Sequence, residues 1–340
     1  MSDVITQKAL LELVGQWIGR GKRVVGPRLA KDDVVYLYAP LESAAALKLD
    51  GFIHPQNSIK EFFFPRHEAI YTYQFKGQKI ALGDVEVPDM EQVIVGARPC
   101  DAASLPVLDK VFNWDSEDTF YTRRRKQTTV ISLGCIEYDD QCFCTSVGLG
   151  PAAEQGSDVL LLPVDGGYEV RCLTDKGKAL FSGKTASLQQ SAQTIAGPDK
   201  QIDPDAIRAF LKDGFESGVW NGIALRCLGC GASAYTCPTC HCFDIVDEGD
   251  ANGGQRVKNW DSCQFGMFTL HASGHNPRSQ QAHRQRQRIL HKFFVYPEKF
   301  DAILCTGCGN CTRNCPVSLG VLSALKEIAM ASTQTNEAGR

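Results

Sequence analysis

The sequence lacks the runs and motifs that would place it in most functional classes. None of its apolar stretches approaches the roughly 18 residues needed to cross a bilayer. Met1–Leu13 carries acidic residues, not the basic-then-apolar order of an export signal. Formal charge is −3, too close to balance to attract nucleic acid or an anionic membrane. There is no G-x-S-x-G, no P-loop and no H-E-x-x-H, so hydrolytic chemistry has no nucleophile elbow, phosphate cradle or zinc pair. There is no G-x-G-x-x-G either, so neither NAD nor flavin is expected in this chain. A cytoplasmic protein without a membrane span is the expectation.

What the sequence does have is cysteine. Fifteen cysteines without an export signal argue for metal ligation, not a disulfide framework. Cys305-Thr-Gly-Cys308-Gly-Asn-Cys311-Thr-Arg-Asn-Cys315-Pro316 reads C-x2-C-x2-C-x3-C-P, the bacterial ferredoxin pattern for a [4Fe-4S] cluster. Gly307 and Gly309 let the loop turn tightly, and Pro316 suits the first turn of a following helix. A zinc site would normally use separated cysteine pairs. In two-cluster ferredoxins the fourth cysteine ligates the other cluster. Cys227-Leu-Gly-Cys230-Gly-Ala-Ser233-Ala-Tyr-Thr-Cys237-Pro238 repeats the spacing upstream, with serine in place of the third cysteine.

Two cubanes need eight ligands. One set is Cys305, Cys308, Cys311 and Cys237; the other is Cys227, Cys230, Cys315 and a replacement for Ser233. Cys240 is the first choice because it follows at once, with Cys242 and Cys263 as alternatives. Ser233 itself could ligate through oxygen, though a hydroxyl matches a thiolate-selecting site poorly. The remaining option is an iron left open.

Cys100, Cys135, Cys142 and Cys144 form another group. The first two follow apolar strands, where ligands sit in open α/β sheets. They form a possible third metal centre, or else reduced core and loop cysteines. Cys172 stands apart and reads as a buried small hydrophobe. His241 between two cysteines is placed either to tune a cluster or in a surface turn. His271 and His275 have i,i+4 spacing, but Gly274 interrupts a helix there, so a packing role is preferred. Arg284, Arg286, Arg288 and Lys292 either favour reduced clusters or form a solvated face; Arg123–Arg125 read as a solvated run.

Periodicity gives a helix over 6–19, then short strands with a hairpin at Lys76-Gly77. Gln92–Gly96, a helix over 101–112, a basic helix over 119–126 and Thr128–Leu133 form strand–helix–strand, the unit of a parallel sheet. A second hairpin surrounds Asp165-Gly166-Gly167. An amphipathic helix spans 205–220, Gly249–Gly254 reads as a polar loop, a basic helix spans 284–294, and 317–329 continues the ferredoxin helix. The expected fold is α+β: an N-terminal α/β region with a mixed sheet (1–182), a linker and helix (183–220), a helical two-[4Fe-4S] ferredoxin-like module (221–331) and a disordered tail (332–340).

Several strings carry a more specific resemblance. Ala97-Arg-Pro-Cys100-Asp101, Cys142-Phe-Cys144-Thr-Ser146, Cys237-Pro-Thr-Cys-His-Cys-Phe-Asp244, Trp260-Asp-Ser-Cys263, Thr269-Leu-His-Ala-Ser-Gly-His-Asn-Pro277 and His291-Lys-Phe accompany the ferredoxin motif. Together they resemble the iron–sulfur β subunit of cytoplasmic NAD(P)-linked NiFe hydrogenases (sulfhydrogenases) and its relative, the corresponding subunit of anaerobic sulfite reductase. The resemblance implies a relay of single electrons. It would run between the hydrogenase small subunit, or the subunits of a sulfite reductase, and a flavin/NAD(P)-binding subunit. A catalytic alternative is a sulfur or polysulfide reductase working at an open iron. Ser233 departs from the family's usual third cysteine.

Overall fold

The computed structural model describes residues 2–31, 34–189, 192 and 194–338. Its centre is four parallel strands: β2 (Arg23–Leu29) beside β6 (Gln92–Ala97), β7 (Thr128–Leu133) and β8 (Val159–Val164). β3 (Tyr36–Pro40) closes one edge antiparallel. β9 (Gly167–Cys172), β1 (Ser2–Thr6) and β10 (Ala186–Leu188) extend the other, giving the order β10-β1-β9-β8-β7-β6-β2-β3 among the described residues. The mixed sheet inferred from strand–helix–strand is therefore present.

Every residue of β6 is buried, as a strand covered on both faces requires. Alternation along it splits the core. Val93 and Val95 join Ile131, Val159 and Leu161 beneath α1 (Gln7–Gly19), whose Leu10, Val14 and Trp17 face them. Thr6 caps α1 by accepting from Ala9 N at 3.1 Å. On the other face Ile94 and Val130 meet Leu105, Leu108 and Phe112 from α3 (Ser104–Phe112), which follows the short α2 (Pro99–Ala102), and Tyr121 from α4 (Thr119–Gln127). Asp175–Phe181 (α5) returns beneath the sheet through Phe181.

The expected helix over 205–220 is broken. α6 (Pro204–Asp213) stops at Gly214, where the Phe210 ring occupies the space of a Cβ, and α7 (Val219–Leu225) restarts after Ser217. With α9 (Gln281–Leu290) and α12 (Val321–Ala338), these helices enclose Ile207, Leu211, Trp220, Ile289, Leu325 and Ile328. Between them lie α8 (Ala232–Tyr235), α10 (Tyr296–Phe300) and α11 (Asn310–Arg313). The Asp165 hairpin forms as read, between β8 and β9.

Further readings are corrected. The basic helix passes through a π-helical turn at His291–Val295 before α10. The final helix begins at Val321, not after Cys315, so Pro316 sits in a turn, and it continues through the stretch expected as a tail to Ala338. The polar segment Gly249–Gly254 is the turn of a long hairpin, β11 (Phe243–Asp250) and β12 (Gly253–Trp260). β12 pairs with β4 (His67–Lys76), itself hairpinned to β5 (Lys79–Asp84) around Gly77. This second sheet thus draws two strands from each side of residues 183–220.

Candidate metal centres

In the Cys305–Cys311 loop, Gly307 and Gly309 take φ of 65° and 76°, the left-handed region that favours glycine. The loop is pressed against residues 141–144. A Cβ on Gly307 would lie 2.5 Å from the backbone nitrogen of Cys144, and one on Gly309 2.5 Å from the carbonyl oxygen of Gln141. Phe143 N donates to Gly307 O at 2.9 Å. Cys308 and Cys311 are buried, and Val321 N points at Cys311 Sγ, 3.3 Å away. Burial pushes the Cys305 thiol up to about 12, and Cys308 is also raised. Cys237 is close enough to act electrostatically on both. Cys305, Cys308, Cys311 and Cys237 thus gather in one place.

Upstream, Cys227, Cys230, Ser233 and Cys315 line one small pocket with Gln264, Gln285 and Arg288. Gly231, at φ 75°, turns the chain into α8, which carries Ser233. Cys227 Sγ receives the side-chain amides of Gln285 at 2.9 Å and Gln281 at 3.2 Å, while Leu319 N points at Cys315 Sγ from 3.3 Å. Cys315 thus lies beside Cys227 and Cys230, and Cys237 beside Cys305 and Cys308.

Cys240, the first choice to replace Ser233, does not line this pocket. It is buried against Cys237, and its hydrogen bond holds the Cys237 thiol well below the usual range against the effect of burial, with Lys292 assisting. Cys242 is engaged by Cys263, whose thiol is lowered to about 6 by that hydrogen bond. Ser233 itself lines the pocket with Cys227, Cys230 and Cys315.

Cys100, at the start of α2, Cys135, just past β7, and Cys142 and Cys144 of the next loop line another small cavity. His54, Arg98, Glu137, Tyr138, Gly307 and Cys308 are also in its wall. Burial raises all four thiols, Cys144 to about 11. Arg313 donates to Cys142 Sγ at 2.9 Å while holding Asp139 through two nitrogens at 2.6 and 2.7 Å.

Charge in the interior tests whether these thiols suit iron–sulfur clusters. Lys60, Arg288 and Lys292 are all buried, Arg288 at 4% exposure. Among the described residues Arg288 Nε and one terminal nitrogen have no hydrogen-bond partner, and Cys311, Cys240, Cys263 and Cys237 are its electrostatic neighbours. A buried cation without a counter-charge is costly. Thiolate-ligated clusters, anionic and rich in acceptor sulfur, answer that deficit, so the residues fit the group. Among the described residues no three His, Cys, Asp or Glu side chains converge as a single ion requires. A cubane instead places each thiolate on a different iron.

Sequence reasoning missed Lys60. It lies in a 3-10 turn, 2.8 Å from the Cys240 carbonyl oxygen and 3.8 Å from the Trp260 ring centroid, and burial lowers it to about 8. No local pattern marks it. The glutamines on Cys227 did have a signal, i,i+4 spacing along α9. Of the basic residues there, Arg288 and Lys292 face thiols, whereas Arg286 stacks on Phe215 and Arg284 binds Gln281. Arg124 and Arg125 pair with Glu68 and Asp109. His241 Nδ1 bonds the Thr239 carbonyl oxygen, and exposed His271 and His275 meet edge to face.

A model of the 4Fe-4S dicluster domain matches residues 226–319. The chain is also 30% identical over 319 residues to sulfhydrogenase 2 subunit beta of Pyrococcus furiosus, covering 90% of this chain and 92% of that protein.

Proposed function

The chain belongs to the family of sulfhydrogenase beta subunits, and on that premise we propose that it is the electron-transfer subunit of a hydrogenase. It relays single electrons between the NiFe module, through that module's small subunit, and a flavin/NAD(P)-binding subunit, in the cytoplasm. One set, Cys305, Cys308, Cys311 and Cys237, holds one [4Fe-4S] cluster. Cys227, Cys230 and Cys315 hold the other, with Ser233 in the fourth place and Cys240, Cys242 and Cys263 outside it. Bound there, the clusters supply one-electron redox chemistry. The protein's part is to exclude water, point N–H groups at the ligating sulfurs and set buried cations beside them, which tunes the potential.

The observation that supports this reading is that Cys315 lines the pocket of Cys227 and Cys230, while Cys237 is an electrostatic neighbour of Cys305 and Cys308; an exchange of these two cysteines between the motifs would link the two centres through one short segment each. The test is a hydrogenase complex assembled with and without this chain. With it, hydrogen reduces NAD(P)+. Without it, the NiFe module should still reduce a viologen dye but lose NAD(P)+ reduction. Persistence of NAD(P)+ reduction would overturn the proposal. Copurification with a sirohaem protein in place of a NiFe protein would assign the chain to a sulfite reductase.

Ser233 motivates a second reading. If its hydroxyl does not ligate, one iron is open, and the chain is a sulfur or polysulfide reductase in its own right. That reading needs the isolated chain to turn over polysulfide with dithionite as donor; no turnover would reject it.

A further inference from the structure

We infer that Cys100, Cys135, Cys142 and Cys144 hold a third [4Fe-4S] cluster, beside the Cys305–Cys311 centre, which carries the relay into the eight-stranded sheet. The inference does not rest on which enzyme the chain serves.

Three observations converge on it. The first is placement. Cys100 and Cys135 stand at the carboxyl ends of the neighbouring parallel strands β6 and β7, and the loop after β7 brings Cys142 and Cys144 over them. That is where open parallel sheets bind ligands. Gly307 clamps the loop from the other side, so its position is fixed by the ferredoxin motif.

The second is chemistry. Four thiols face one small, mainly apolar cavity, and none is in a disulfide. Arg313 directs a guanidinium N–H at Cys142 Sγ, so a charged donor waits for a thiolate. Arg98, also in the wall, is already used by the carbonyls of Phe52 and Ile53. Zinc would draw the four sulfurs onto one point, and the described residues show no such convergence.

The third is continuity. Cys308, a ligand position of the neighbouring centre, lines the same cavity and stands among the electrostatic neighbours of Cys100. The order of sites is then Cys227/Cys230/Cys315, Cys305/Cys308/Cys311/Cys237 and Cys100/Cys135/Cys142/Cys144. The last lies under a surface bearing exposed Ile136 and Tyr138. On assembly from two ferrous ions, two ferric ions and four sulfides, which needs no further oxidant, each thiol releases its proton to solvent as its sulfur bonds one iron. The later transfer moves one electron between neighbouring centres and leaves every iron–sulfur bond in place.

The test counts iron, zinc and acid-labile sulfide in the full chain, purified and reconstituted anaerobically, and records EPR spectra of the reduced protein. The Cys142→Ala/Cys144→Ala chain should lose about four irons, one cubane's complement, and one EPR component. The signals sensitive to Cys308→Ala and to Cys227→Ala should remain. Unchanged iron, or zinc in place of iron, overturns the inference. If that chain does not fold, the converse decides. Cys227→Ala/Cys230→Ala/Cys308→Ala/Cys311→Ala leaves only the N-terminal set intact and should keep about four irons; an iron-free chain with the wild-type circular dichroism of the sheet overturns it.

Discussion

The ammonium of Lys292 lies 3.5 Å from the sulfur of Cys237, both enclosed by protein. Lys292 also donates to Thr239 Oγ1 and the Leu304 carbonyl, each at 3.1 Å. Burial alone would lower its pKa, but Cys237, Cys240 and Cys305 outweigh burial and keep it charged. A fixed positive charge at a ligand sulfur favours the more negative, reduced state of the cluster. Lys292→Met should therefore lower that cluster's potential by about 50 mV, taking about 1 kcal/mol of differential stabilisation for a one-electron couple. Redox titration followed by EPR measures it; an unchanged or raised potential would contradict the electrostatic role.

The pocket lined by Cys227, Cys230 and Cys315 also has Ser233 in its wall. Ser233→Cys should complete a four-thiolate set, so the upstream cluster survives air several-fold longer, read as the decay of its visible absorption. Ser233→Ala separates the remaining options. A shifted EPR signal identifies the hydroxyl as a ligand, and an unchanged one marks an open iron.

Gly307 has left-handed φ and no room for a side chain against Cys144. Gly307→Ala should cost about 2–4 kcal/mol, combining backbone strain with a clash against backbone that cannot swing away. Gly77, at φ 64° in the β4–β5 turn, has nothing within 4 Å of its would-be Cβ. Gly77→Ala should cost only about 1 kcal/mol. Equal losses in Tm would show that the clamp between the two cysteine loops contributes nothing.

Arg288 has buried nitrogens that no acceptor among the described residues satisfies. Stripping iron anaerobically should leave this cation uncompensated and loosen α9 and α12, whereas the sheet core around β6 and β7 keeps its own packing. Hydrogen exchange should accelerate in residues 281–290 and 321–333 and change little in 92–97 and 128–133. Uniform acceleration would mean the clusters do not stabilise the helical module selectively.

The features legible in the sequence are the local ones. The buried run Val93-Ile94-Val95 with its following helix announced a parallel strand, and Lys76-Gly77 and Asp165-Gly166-Gly167 announced hairpins, because turn chemistry lies within a few residues. The proximity of Cys315 to Cys227 and Cys230 followed from ferredoxin spacing. The β11–β12 hairpin did not show itself: Phe243–Asp250 is exposed throughout and acidic at its end, and β12 is held by β4 from the far N-terminal part. Lys60 was invisible for the same reason, since its carbonyl acceptors on Ala234 and Cys240 are remote in sequence. Cys240 was the natural replacement by proximity along the chain, yet Thr239 Oγ1, bonded to the Leu304 carbonyl at 2.9 Å, holds that segment beside Cys237 and away from the upstream pocket.

The proposed relay has its two ferredoxin-type centres share their motifs crosswise, and EPR of the reduced protein tests that most directly. Cys305→Ser and Cys315→Ser come from the same twelve-residue motif. The account predicts that they abolish different signals: Cys305→Ser that of the Cys308/Cys311/Cys237 centre, and Cys315→Ser that of the Cys227/Cys230 centre. Loss of the same signal in both variants would contradict it.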